Sequence, residues 1–132
     1  MPHLVPTDAR PAPAEAPFNV VVSDAFSLFN AGVYYHDDDQ FNTAEEYYER
    51  AASQGHAGAQ YNLAMFHEDN HERMLGYHEP AAAQDHADAL YYLGTLYFYS
   101  DVVQEDLNMA REYLQQAAAQ GSEEAREALR DI

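Results

Sequence analysis

From Ser23 onward, apolar residues recur at helical spacing. Ala59 and Leu63, Ala89 and Leu93, and Ala125 and Leu129 each stand four residues apart, so each pair occupies one face of a helix. Each pair follows an alanine-rich run at the same offset: Ala51-Ala52-Ser53-Gln54-Gly55, Ala81-Ala82-Ala83-Gln84-Asp85 and Ala117-Ala118-Ala119-Gln120-Gly121. Paired alanines at a helix end let a neighbouring helix approach closely. A glycine after the last turn supplies the left-handed residue that closes a helix. The pattern therefore predicts repeated units of helix, turn and second helix. One such unit cannot bury its apolar face alone, so units must stack. Glu123 to Ile132 then reads as a closing helix, amphipathic through Ala125, Ala128, Leu129 and Ile132.

Residues 1–22 break this pattern. They hold five of the six prolines, Pro2, Pro6, Pro11, Pro13 and Pro17, with small residues between them. Proline lacks an amide donor and blocks helix. The expected organisation is an irregular Pro-rich arm over residues 1–22 and a repeat domain over residues 23–132. The arm reads as a leader or extension, or as a tail that folds over a groove or docks a partner.

The last unit carries a family resemblance. Leu93-Gly94-Thr95-Leu96-Tyr97, the stretch from Asp101 to Leu107, then Ala110, Tyr113 and the run Ala117 to Gly121, resemble a full Sel1-like repeat, whose pattern is LGxxYxxGxGVxxDxxKAxxWxxxAAxxG. Ser100 and Val102 stand at the two loop glycines, Met109 at the lysine and Tyr113 at the tryptophan. The first unit is closer to a tetratricopeptide repeat, with Ala31-Gly32, Tyr35, Phe41, Ala44, Tyr48 and Ala51 at that spacing. The resemblance covers about Asp24 to Gly121. It implies an all-α fold: an α-solenoid of about three helix-turn-helix Sel1/TPR-like repeats plus a C-terminal capping helix.

The middle unit is degenerate. Leu63-Ala64 matches, but His67 replaces the tyrosine and Met74 the small alanine, and the unit is two residues shorter. Gly76 and Pro80 fall inside its second helix. An interior proline costs about 3 kcal/mol, so that helix is expected to be short, kinked or displaced.

Charge and composition narrow the function classes. Six basic residues face 23 acidic ones, for a net charge of −17. That sign disfavours nucleic-acid phosphates and anionic lipid and favours a basic partner, through steering and faster encounter; the competing reading is that the charge serves solubility alone. There is no cysteine, which rules out disulfides and thiolate chemistry. No basic stretch followed by an apolar one marks a signal peptide, and no apolar run could span a bilayer. The chain reads as cytoplasmic.

In the resembled family, the first helix of each unit builds a concave face that binds a peptide or protein. Carried over, those positions are Phe26, Phe29, Val33 and His36 in the first unit, and Tyr61, Met65, Glu68 and Asp69 in the second. In the third they are Asp88, Tyr91, Thr95, Phe98 and Tyr99. The resemblance implies that Phe29, Val33, His36, Tyr61, Met65, Glu68, Tyr91, Thr95, Phe98 and Tyr99 bind a partner. Aromatics give large contact area at low entropy cost, and the acids would select basic residues. The competing use of these side chains is packing, against the arm or within a small core.

Sharper motifs are weaker on inspection. His67-Glu68-Asp69-Asn70-His71 matches the HExxH zinc-protease signature, but Asp69 and Asn70 are polar where that helix packs. The repeat frame also lays the motif across a turn. His67, His71 and His78 remain a set that could take a metal adventitiously. Asp38, Gln40, Asn42 and Glu49 echo a calcium loop whose central glycine is Thr43. The better reading is that Asp39 caps the next helix. No nucleophile elbow or phosphate loop is present. In so acidic a chain, the seven histidines are expected to titrate above their usual value.

The sequence thus points to a non-enzymatic adaptor without a cofactor. It would bind another protein or peptide with basic residues, and not nucleic acid or membrane. The alternative is a small acidic immunity or inhibitor protein that neutralises a basic enzyme or toxin. So few repeats sit near the lower limit for a solenoid, which leaves room for a weak homodimer.

Overall fold

The computed structural model describes residues 24–99 and 106–132. The expected Pro-rich arm and the loop carrying Ser100 and Val102 lie outside the described residues. Seven helices are present among the described residues: α1 (Ala25–Asp37), α2 (Phe41–Ser53), α3 (Ala57–Phe66), α4 (His71–Ala83), α5 (Ala87–Tyr99), α6 (Leu107–Ala119) and α7 (Glu123–Leu129). No strand occurs among them. The chain divides within α3 into a unit ending at Ala59 and a unit spanning Gln60–Ile132.

The repeated motif works as its chemistry predicts. At the end of α2, the Gly55 N–H bonds the Ala52 carbonyl at 2.8 Å and the His56 N–H bonds Ala51 at 3.2 Å. The same two bonds close α4 through Asp85 and His86, and α6 through Gly121 and Ser122. This is the double closure that requires a left-handed residue after the helix. Gly55 and Gly121 supply it at φ of 90° and 102°. Asp85 stands in the same place at φ 63°, where a side chain is disfavoured and aspartate is among the few that tolerate it.

Asp39 requires a correction. It does not cap α2; it occupies the left-handed position that closes α1, at φ 61°. Its N–H bonds the His36 carbonyl at 3.0 Å, and that of Gln40 bonds Tyr35 at 2.9 Å. The closure of α1 fixes the Asp39 backbone, and Gln40 becomes the N-cap of α2 with no side-chain cap bond.

The helix starts form a second repeating device. The Ala59 N–H donates to His56 Nδ1 at 3.1 Å, Ala89 to His86 Nδ1 at 3.2 Å and Ala125 to Ser122 Oγ at 3.1 Å. The two histidines serve as N-caps where serine serves in the last unit. Asp24, Asn70 and Asp106 cap α1, α4 and α6 through their side-chain oxygens.

The Pro80 expectation is also corrected as to length. α4 runs 13 residues, the length of α2 and α6. Gly76 and Pro80 are four apart and both exposed, so the carbonyl that loses its donor faces water and can be hydrated. The space where a Gly76 side chain would stand is open. The two-residue deletion is taken up by α3, which has only 10 residues. Residues 67–70 close it with 3₁₀-type bonds, His67 N–H to Ala64 and Asn70 N–H to His67.

Each hairpin is held by a stacked ring pair at one repeat position. Tyr35 lies 5.5 Å from Tyr47, His67 5.9 Å from Tyr77 and Tyr97 5.7 Å from Tyr113, with planes within 22° of parallel. Such pairs contribute about 0.5–1.5 kcal/mol beyond burial. His67 therefore does the packing work of the tyrosine it replaces. The glycines of the expected repeats mark close helix approach. A Cβ on Gly32 would strike the Tyr48 ring, and one on Gly94 would stand 2.8 Å from Leu114.

Candidate functional site

The α5 residues expected to bind come together. Tyr91, Thr95, Phe98 and Tyr99 line a groove against Leu114 of α6 and Ala128, Asp131 and Ile132 at the α7 end. Its cavity is about 110 Å³, smaller than the ~150 Å³ apolar cavities that admit benzene. It suits one side chain better than a cofactor. Phe98 and Tyr99 make two of its walls, with centroids 4.9 Å apart and planes at 79°. Tyr99 is 67% exposed. The Thr95 hydroxyl is turned back to the Tyr92 carbonyl at 2.7 Å. α7 ends at Leu129, three residues short of the expected Ile132, and the turn that follows brings Asp131 and Ile132 to the groove.

The other expected residues are more engaged in packing. Within the first unit, the half-buried Phe29 stacks on His56 at 4.4 Å, and His36 Nδ1 lies 3.1 Å from the Tyr48 hydroxyl. Val33 is half-buried and Phe26 is 67% exposed. Within the second unit, Tyr61 rests on His78 and His86, with centroids at 5.5 and 5.1 Å. Burial, then the carboxylates of Asp88, Glu68 and Glu124, push its hydroxyl pKa up. Met65 is half-buried, and Glu68, Asp69 and Asp88 are exposed.

Sequence reasoning missed Tyr92 and considered His78 only as an adventitious metal ligand. The Tyr92 hydroxyl donates to Glu68 at 2.7 Å while its ring stacks on His78 at 4.5 Å. Burial, then that bond, push the Tyr92 pKa up to about 12. His78 is fully buried, and both ring nitrogens lack a hydrogen-bond partner. Burial, then the nearby His86, push its pKa down to about 4. His56 is also shifted down by burial. The expected upward shift therefore fails at these two histidines, because loss of hydration outweighs the chain's negative charge. The sequence signal for the burial of His78 was its match in register to Tyr48 and Leu114, both core positions.

The HExxH match does not form one helical face: α3 ends at Phe66 and α4 begins at His71. His78 is sealed in the core, so it cannot join His67 and His71 at the surface. Among the described residues, no three His, Asp or Glu side chains are grouped to hold a metal. No helix among them is long and apolar enough to cross a membrane.

The Sel1 repeat model matches residues 25–56, 57–69 and 87–122. It passes over α4, where Gly76, His78 and Pro80 stand. A Sel1 repeat protein from Oxalobacter formigenes is 26% identical, with a TM-score of 0.75 over 82% of this chain and 89% of that one. A protective antigen of uropathogenic Escherichia coli displaying an SLR fold is 28% identical, with a TM-score of 0.70 over 76% of this chain and 24% of that one. The chain thus spans about a quarter of that antigen's length. No curated protein matches significantly. Sel1 repeats build α-solenoids that generally serve as protein-interaction modules, typically non-enzymatic scaffolds. With the repeat model matching more than half of its residues, the chain belongs to the Sel1 repeat family.

Proposed function

We propose that the protein is an adaptor that binds a peptide or protein partner in the groove between α5 and α7. The observation that carries this reading is the groove itself. Tyr91, Thr95, Phe98 and Tyr99 are not consumed by the helix-hairpin core and line one open cavity together with Asp131. Tyrosine and phenylalanine in such a place bury large area on binding. Net charge of −17 adds long-range attraction for a basic partner. Tyr61, Met65 and Glu68 on α3 extend the binding face within the second unit, and Phe29, Val33 and His36 offer a candidate patch in the first.

The test compares partner capture by the intact chain with capture by a Tyr91→Ala/Tyr99→Ala variant of unchanged helicity, at low and high salt. Loss of the partner in the variant, with modest salt dependence, supports groove binding. Capture that ignores the substitutions and collapses in salt favours the second reading, an acidic neutraliser of a basic enzyme or toxin. The excess of 23 acids over 6 bases is the observation behind that alternative.

A further inference from the structure

The groove's chemistry narrows what can occupy it. Its walls are rings: Tyr91, Phe98 and Tyr99 come from α5, with Phe98 and Tyr99 nearly perpendicular. Its apolar floor and end are Leu114, 1% exposed, and Ile132. Asp131, which is exposed, is the one acidic side chain among the residues that line it. Among the described residues that carboxylate has no side-chain partner. The cavity of about 110 Å³ holds one side chain. An acidic occupant would be repelled by that side chain, and a purely apolar one would gain nothing from it. A long side chain with an apolar stem and a positive tip satisfies all three features. The stem covers the rings, the charge lies against aromatic faces and the tip meets the carboxylate.

We propose that the α5–α7 groove recognises one lysine or arginine side chain of the partner. This rests on the reading of the groove as the partner site and specifies what enters it. Asp131 sets the charge requirement, and Phe98 and Tyr99 form the corner that grips the stem. Recognition of one cation by a ringed slot differs from diffuse attraction to an acidic surface, because it depends on one carboxylate among many.

The experiment is an NMR titration of the full ¹⁵N-labelled chain with three capped tripeptides, glycine–X–glycine, where X is lysine, arginine or norleucine. The lysine and arginine peptides are expected to shift the amides of Tyr91 to Tyr99 and Ala128 to Ile132. The norleucine peptide is expected to bind more weakly there. Asp131→Asn keeps the shape and removes the charge. It is expected to weaken the cationic peptides about two- to fivefold, while Glu72→Gln, which removes an exposed charge on α4, leaves them unchanged. Equal binding of norleucine overturns the proposal. So do shifts spread over the whole chain that Asp131→Asn and Glu72→Gln reduce alike. Partner capture that needs Tyr91 and Tyr99 but ignores Asp131→Asn overturns the cation assignment and leaves the groove reading standing. Capture that ignores Tyr91 and Tyr99 removes the groove reading itself.

Discussion

The imidazole of His78 lies face to face with the ring of Tyr92, with centroids 4.5 Å apart, and neither of its nitrogens has a hydrogen-bond partner. Only the neutral imidazole is tolerable there. Its pKa falls from 6.5 when unfolded to about 4 in the fold. The unfolded chain therefore takes up the proton first as pH drops. The stability that neutral His78 provides is complete above pH 6.5 and lost as pH falls toward 4, about 3 kcal/mol in all. The groups facing it are Tyr61, Tyr92 and, by its charge, His86. His78→Leu, copying Leu114, is expected to flatten this dependence between pH 6.5 and 5. It should also raise stability at pH 7.5 by about 1–3 kcal/mol, since an unpaired buried polar group is removed. Urea unfolding of both chains at pH 7.5, 6.5 and 5 checks it, and parallel curves would sink the assignment.

The His86 cap can be tested by exchange with its counterpart in the last unit. His86→Ser, after Ser122, is expected to hold stability near the parent value, whereas His86→Ala loses about 1 kcal/mol. Thermal unfolding at pH 7.5 distinguishes the two. Equal loss in both variants would show that ring packing on Tyr61, rather than the bond to Ala89, is what His86 contributes.

Asp85 closes α4 in a conformation that costs a side chain energy. Asp85→Gly is expected to stabilise the chain by about 0.5–1 kcal/mol, while Gly55→Ala, the reverse change at the matching turn, destabilises it by about 1 kcal/mol. Denaturant midpoints measured on both variants provide the comparison. A destabilising Asp85→Gly would mean that the aspartate side chain contributes more than the strain removes.

Gly94 faces Leu114 at a distance that leaves no room for a methyl group. Gly94→Ala is expected to destabilise by about 1–3 kcal/mol despite the better helix propensity of alanine. Gly76→Ala, with open space around it, is expected to stabilise by up to about 1 kcal/mol. Circular dichroism melts of this pair separate packing from propensity.

Much of the fold was legible because it rests on local rules. The alanine-rich runs with their closing residue mark the ends of α2, α4 and α6, and the four-residue spacing of alanine and leucine marks α3, α5 and α7. Errors arose where two local rules competed for one residue. Asp39 has both the chemistry of an N-cap and the tolerance for the left-handed position, and the closure of α1 decided between them. Pro80 reads as a breaker, yet its exposure beside Gly76 lets water serve the freed carbonyl and α4 reaches full length.

The candidate site was half legible. Tyr91, Thr95, Phe98 and Tyr99 could be named because the family resemblance marks the positions on that helix that face a partner. Asp131 and Ile132 could not, because their approach to α5 depends on how the chain turns after Leu129. The sequence by itself determined the repeat, the glycine closures of α2 and α6 and the sign of the charge, since these depend on composition and on neighbours within about four residues. The tertiary structure alone decided that His78 is sealed without a hydrogen-bond partner and that Asp131 lines the same groove as Tyr91, Phe98 and Tyr99. Burial and charge placement are set by side chains brought together from separate helices.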